Sequence, residues 1–157
     1  HAYLSTRQPP DLRVGEAARS KVWSFDHDAY KPLIDLISDI VKPLEHETVI
    51  WKNVNSAFIG TNLRERLDDD NITRLVVVGM TTDHCISTTV RMAGNFGYDT
   101  LLVSDATATF DRISPHGQLF PASLIHETAL TSLHGEFATV VTTNDVVKSL
   151  HGLKATR

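Results

Sequence analysis

The sequence predicts an α/β fold built on a parallel sheet. Short runs of consecutive apolar and β-branched residues alternate with segments whose apolar residues recur at helical spacing. The clearest run, Leu75-Val76-Val77-Val78-Gly79, is apolar throughout, the pattern of a strand buried on both faces. Strands alternating with helices imply right-handed crossovers and hence parallel pairing. In such sheets ligands bind at the carboxyl ends of the strands.

The elements follow in order. His1 to Ser24 holds Gln8-Pro9-Pro10, Gly15 and scattered charges with no period, and reads as a loop or arm. Leu33, Ile34, Ile37, Ile40 and Val41 fall at helical spacing, with Asp28 as N-cap and Pro43 as stop. Thr48-Val49-Ile50-Trp51 is a short β-rich run ending at Lys52, and Asn62 to Leu67 a short helix. After the strand at Leu75 and a Thr81-Thr82-Asp83 turn comes a helix with Ile86, Val90, Ala93 and Phe96 on one face. Gly97 closes it. Thr100-Leu101-Leu102-Val103 is a second buried strand, followed by a polar loop from Asp105 to Phe120. Ala122 to His134 is a helix, Ala138 to Val141 a final strand and Asp145 to Leu150 a final helix.

Composition narrows the function classes. The 157 residues suit about one domain, and 41% hydrophobic with 22% charged residues excludes a disordered or coiled-coil chain. Fifteen basic against nineteen acidic residues, a formal charge of -4, argue against nucleic acid or an anionic membrane as partner. No apolar run approaches the ~20 residues of a membrane-spanning helix. The single cysteine, Cys85, forbids an internal disulfide and makes a reducing cytoplasm the expected compartment.

Cys85 is also the leading chemical candidate. The run Gly79-Met80-Thr81-Thr82-Asp83-His84-Cys85 leads from a buried strand into a helix and puts the sulfur in its first turn. Unpaired N–H groups and the helix dipole there favour a thiolate and can hold an oxyanion. A buried structural cysteine fits the same position. Lys52, at a strand end after Trp51, can favour that thiolate or simply reach solvent. His84 adjoins Cys85, but helical neighbours point about 100° apart. No zinc-type Cys/His pattern, dinucleotide fingerprint or P-loop is present, so no cofactor and no metal are expected.

Taken together, several stretches resemble the isochorismatase-like cysteine hydrolases, which include nicotinamidases and N-carbamoylsarcosine amidases. They are Val49 to Lys52, Asn55 to Leu63, Val78 to Ala93, Gly97-Tyr98 and Asp105-Ala106. The resemblance implies a three-layer, Rossmann-like sheet of six parallel strands ordered 3-2-1-4-5-6. It also implies an Asp–Lys–Cys triad in which Cys85 is the nucleophile and Lys52 the lysine. A cis peptide is implied at Met80-Thr81, with the N–H groups of Thr81 and Cys85 forming an oxyanion hole. Trp51, Phe58 and Phe110 lie in segments expected to converge on the strand ends, where they form an apolar wall or are ordinary core aromatics.

The implied activity is hydrolysis of a small amide, carbamoyl or related C–N substrate through a thioester. Isochorismate-type vinyl ether hydrolysis is the alternative among enzymes, and a non-catalytic relative that keeps the fold as a binding or oligomerisation module the alternative from another class. A small-molecule substrate and a homo-oligomer are the expected partners. Two departures stand out. The family's opening strand, apolar-apolar-Asp-x-Gln, has no counterpart, and Asp26 and Asp28 are poor substitutes; the nicotinamidase Asp-x-His metal motif is also missing. With four clear strands against six implied, the sequence is expected to be an N-terminally incomplete single domain, the aspartate lying in the missing part.

Overall fold

The computed structural model describes residues 2–3 and 47–154, with side chains over 47–149. The helix expected between Asp28 and Pro43 lies outside the described residues. The chain divides into two compact units, His1–Asn53 and Val54–Arg157.

In the first unit, β1 (Ala2–Tyr3) pairs in parallel with β2 (Thr48–Val49). Two corrections follow: Ala2 and Tyr3 belong to a strand rather than a loop, and β2 stops three residues short of Lys52. Its ladder holds only the pairs Ala2↔Thr48 and Tyr3↔Val49, so strand geometry closes at Val49. Ile50 is buried, Lys52 half-buried and Trp51 exposed.

The second unit carries the sheet. Helix α1 (Leu63–Asp69) buries Leu63 and Leu67, the expected i,i+4 pair. Strand β3 (Arg74–Met80) enters a three-stranded parallel sheet with β4 (Asp99–Ala108) and β7 (Thr139–Val141), in the order β3-β4-β7. These occupy the places of the last three strands in the implied order. Between them run a one-turn π-helix, Thr82–Ile86, continuing into α2 (Ser87–Asn95), and α3 (Ala122–Leu133). A small antiparallel hairpin, β5 (Arg112–Ile113) with β6 (Leu119–Phe120), precedes α3, and α4 (Thr143–Lys154) ends the described chain.

One face of the sheet holds the core. Val77, Ile86, Val90, Leu102, Leu130, Leu133 and Ala138 form a single cluster between β3, β4, α2 and α3. Burying each large aliphatic side chain contributes about 1.5–3 kcal/mol. Val76 and Val78 are 50% and 49% exposed, so β3 is not buried on both faces as expected. Only its odd-numbered residues face the α2–α3 layer, and among the described residues the other face stays open.

Two backbone features shape the sheet's carboxyl end. The β3–β4 register slips after Val77↔Leu102 and resumes at Gly79↔Thr107, so β4 bulges by several residues. Gly79 has φ +121°, a conformation other residues rarely adopt, and takes up the slip. Asp105, at the bulge, accepts hydrogen bonds from Thr143 N–H at 2.7 Å and Thr143 Oγ1 at 2.9 Å, fixing the start of α4. Asp145 and Thr142 close a reciprocal cap there, Thr142 N–H donating to Asp145 Oδ2 at 3.0 Å and Asp145 N–H to Thr142 Oγ1 at 3.3 Å.

Candidate active site

β3 delivers the chain to the sheet's carboxyl end, where the Met80–Thr81 peptide bond is cis. Thr81 is extended, with φ -98° and ψ 145°, and its carbonyl starts the next element. That oxygen accepts from His84 N–H at 3.1 Å and from Ile86 N–H at 3.2 Å, the second an i→i+5 bond. The residues Thr82–Ile86 therefore wind as a π turn, where the sequence predicts a turn at Thr82-Asp83 and then an α-helix. Cys85 sits inside this turn, half-buried, and α2 grows directly from it.

Three elements fasten the turn. Thr82 is fully buried, and its Oγ1 lies 2.9 Å from His126 Nδ1 on α3. The Asp83 carboxylate reaches the other way: Thr109 Oγ1 donates to Oδ1 at 2.5 Å, Arg112 Nε to Oδ2 at 3.0 Å and Arg112 Nη2 to Oδ1 at 3.3 Å. His84 Nε2 stands 3.4 Å from Asp83 Oδ2. Burial pushes the Asp83 carboxyl up, but the bonds from Thr109 and Arg112 and the nearby positive charge outweigh it and hold it below its ordinary value. Burial is the main cause holding His84 below the ordinary histidine value, against the pull of Asp83.

The third fastening brings in a residue that sequence reasoning missed. Ala57 N–H donates to Thr89 Oγ1 at 3.0 Å, and Ser56 Oγ to Met92 Sδ at 2.7 Å. Residues 85, 89 and 92 follow the spacing of one helix face, so the segment from Asn55 lies along it. Asn55 is thereby set against the sulfur, and Cys85 Sγ donates to its Oδ1 at 3.6 Å. Asn55 stands in a stretch that carries the resemblance, but nothing in the residue type alone pointed to the thiol.

The other predicted residues distribute unevenly. Thr81 adjoins the turn, and its hydroxyl oxygen is buried without a hydrogen-bond partner among the described residues. Phe110 follows the end of β4, beside Thr109 and two residues before Arg112. Phe58 goes elsewhere. Its ring meets Phe96 edge-on at 5.2 Å and stacks on Tyr98 at 6.0 Å, and both of these precede β4. Phe58 therefore packs at the amino end of the sheet and is removed from the apolar wall. Hydrogen bonds between backbone and side chain, from Phe58 N–H to Ser56 Oγ and from Thr61 Oγ1 to Ala57 O, turn the chain in that direction. Trp51 and Lys52 belong to the first unit and Cys85 to the second.

No group of three or more His, Cys, Asp or Glu side chains is placed to share a metal ion among the described residues. None of their helices is long and apolar enough to cross a membrane.

Comparison with known proteins matches this architecture to a family. Residues 4–145 match the isochorismatase domain. The chain is 50% identical over 111 residues to an uncharacterized isochorismatase family protein of Bacillus subtilis, covering 71% of this chain and 59% of the relative. It is 30% identical over 120 residues to nicotinamidase 3 of Arabidopsis thaliana, covering 73% and 55%. With N-carbamoylsarcosine amidase of an Arthrobacter species it shares 31% over 126 residues, covering 80% and 42%. A solved structure of an isochorismatase family protein from Chromobacterium violaceum superposes with a TM-score of 0.70 at 40% identity, covering 71% and 58%. The chain thus spans about three fifths or less of each of these relatives. A parallel β3-β4-β7 sheet that delivers Cys85 at its carboxyl end, together with these matches, shows that the chain belongs to the isochorismatase family.

Proposed function

We propose that the protein is a cysteine hydrolase that cleaves a small amide, carbamoyl or related C–N substrate through a thioester on Cys85. The observation that carries this reading is the placement of Cys85. It is half-buried in a turn at the carboxyl end of β3, fastened from three sides, with the Asn55 carboxamide on its sulfur. A cysteine kept only for packing needs no such presentation. The names of two relatives, nicotinamidase and N-carbamoylsarcosine amidase, denote amide and carbamoyl substrates and favour C–N chemistry.

In this reading Lys52 favours the thiolate, and Asn55 orients the sulfur. The thiolate attacks the carbonyl carbon, and the N–H groups of Thr81 and Cys85 receive the negative oxygen. The C–N bond breaks as the nitrogen takes up the proton the thiol gave away, leaving an acyl thioester that water hydrolyses. Trp51 and Phe110 supply apolar walls.

A screen of small amides, ureas and carbamoyl compounds tests the reading. Cys85→Ala is expected to abolish turnover with folding nearly intact. Lys52→Ala is expected to lower turnover and to slow alkylation of Cys85 by iodoacetamide. Intact-mass analysis during turnover is expected to show the chain plus one acyl group. Normal turnover by Cys85→Ala would refute the nucleophile assignment.

A further inference from the structure

Next to the sulfur, the most heavily bonded side chain in the nucleophile turn is Asp83. It takes part in no step of the chemistry above. Its side chain is 17% exposed and that of Arg112 20%, so the pair lies mostly out of water. Arg112 grips both carboxylate oxygens in a fork, the geometry in which an arginine–carboxylate pair holds orientation as well as charge. Thr109 adds a third bond to the same carboxylate.

These partners belong to a different part of the fold from the turn. Thr109 and Arg112 flank Phe110 and Asp111 on the stretch that leaves β4 and opens the β5–β6 hairpin. Asp111 Oδ1 in turn accepts from Ala122 N–H, in the first turn of α3, at 2.7 Å. The stretch is therefore braced against α3 before it reaches Asp83. Thr82, one residue earlier in the turn, is bonded to His126 of that same α3. Successive residues of the nucleophile turn are thus tied to one braced frame, from two directions. Between Thr81 and Cys85, the two residues whose N–H groups are assigned to the oxyanion, lie only Thr82, Asp83 and His84.

We infer that Asp83, through its fork with Arg112 and its bond from Thr109, is a positioning residue. It sets the direction of the Thr81 and Cys85 N–H groups relative to the sulfur. A neutral, desolvated ion pair contributes little net charge at the sulfur, so its influence is geometric. The inference rests on the hydrolase reading above, and its test separates the two.

Two reactions of the same sulfur separate geometry from reactivity. Alkylation by iodoacetamide is a displacement at carbon that develops no oxyanion. Acetylation by p-nitrophenyl acetate passes through a tetrahedral oxyanion: the S–C bond forms, the C–O bond to the nitrophenyl oxygen breaks, and p-nitrophenolate leaves. The ratio of acetylation to alkylation rate at Cys85, referred to that of glutathione, therefore reads the oxyanion hole. A wild-type ratio no greater than that of glutathione overturns the hydrolase reading itself, and the positioning role with it.

Where the wild-type ratio is raised, Asp83→Ala and Arg112→Gln are each expected to slow acetylation about 10–100-fold, the scale of a misplaced catalytic group. Alkylation should stay within about threefold. The double variant should fall no further than the worse single one, because both changes remove one interaction. Arg112→Gln reaches the pair without altering the nucleophile turn and decides the matter if Asp83→Ala does not fold. A folded Arg112→Gln with the wild-type ratio, an equal loss of both reactions, or effects that multiply in the double variant would each overturn the positioning role.

Discussion

Gly94 is the next-to-last residue of α2, where replacing glycine by alanine ordinarily stabilises a helix by up to about 1 kcal/mol. Here the opposite is expected. A Cβ built on Gly94 would stand 2.8 Å from Phe137 O and 3.0 Å from Phe137 Cα. Those atoms are backbone, and they are held. Phe137 N–H and Ala138 N–H both donate to Leu133 O at 3.1 Å, and Gly135 N–H donates to Ala138 O at 2.9 Å. The Arg91 guanidinium lies over the Phe137 ring at 4.7 Å. The contact relaxes only if α2 moves away from α3 and β7, which opens the cluster around Val90 and Leu133. Because the obstacle is held backbone, the overpacking cost lies toward the top of its usual range, about 2–3 kcal/mol, against a propensity gain of about 1 kcal/mol. Gly94→Ala should therefore be destabilised by about 1–2 kcal/mol net, or roughly 2–8 °C in Tm for a chain of this size. Urea denaturation monitored by far-UV circular dichroism, with m unchanged, measures it. A variant as stable as wild type, or more so, would show that the Phe137 backbone yields freely and that the α2–α3 packing is looser than drawn.

Further expectations concern the turn that holds Cys85. Thr81→Val should leave stability unchanged or raised, since its buried hydroxyl oxygen has no partner among the described residues. Thr82→Val should cost about 1–3 kcal/mol by stripping a buried bond to His126; equal effects in thermal melts would refute the contrast. Stability should also fall with acid. His84 and Asp83 are both held below their ordinary values of 6.5 and 3.8, so the unfolded chain binds protons first and stability rises with pH. The His84 contribution is complete above pH 6.5 and is lost as pH falls through the lower folded value; that of Asp83 is lost below 3.8 in the same way. Urea titrations at pH 7.5 and 5.5 should show a smaller loss for His84→Gln than for wild type. An identical loss would remove His84 from the account.

How far the sequence could reach is seen in the difference between β3 and the turn after it. Val77, Ile86, Val90, Leu102, Leu130 and Leu133 announced the core because burial acts on each residue and repeats with the period of its element. The length of β4 was hidden for the converse reason. Asp105, Ala106 and Thr107 read as polar loop, yet β4 runs on to Ala108 after the slip, held by Gly79↔Thr107 pairing that no local pattern encodes. Cys85 was legible as a residue type at a strand-to-helix junction. The π winding was not, because it depends on the Thr81 carbonyl accepting from Ile86 rather than on the composition of the turn.

Asp83 shows the same limit at its sharpest. A carboxylate two residues before a cysteine has three ordinary fates: solvent, metal or a neighbouring cation. The cation that takes it, Arg112, is 29 residues away, in a stretch whose polar character suggested a mere connection. Only the parallel crossover brings the two together, since β3 and β4 must end side by side for the residues following each to meet. The exposed pair Arg74–Asp99 is a useful contrast. It joins the opening residues of the same two strands, with side chains 66% and 50% exposed, and an ion pair in that setting contributes at most about 1 kcal/mol. Neutralising it with Arg74→Gln should leave both rates at Cys85 within experimental error and stability within about 1 kcal/mol. A change in the acetylation-to-alkylation ratio for Arg74→Gln as large as that for Arg112→Gln would mean that any charge change on these strands disturbs the thiol. The geometric role of Asp83 would then fail with it.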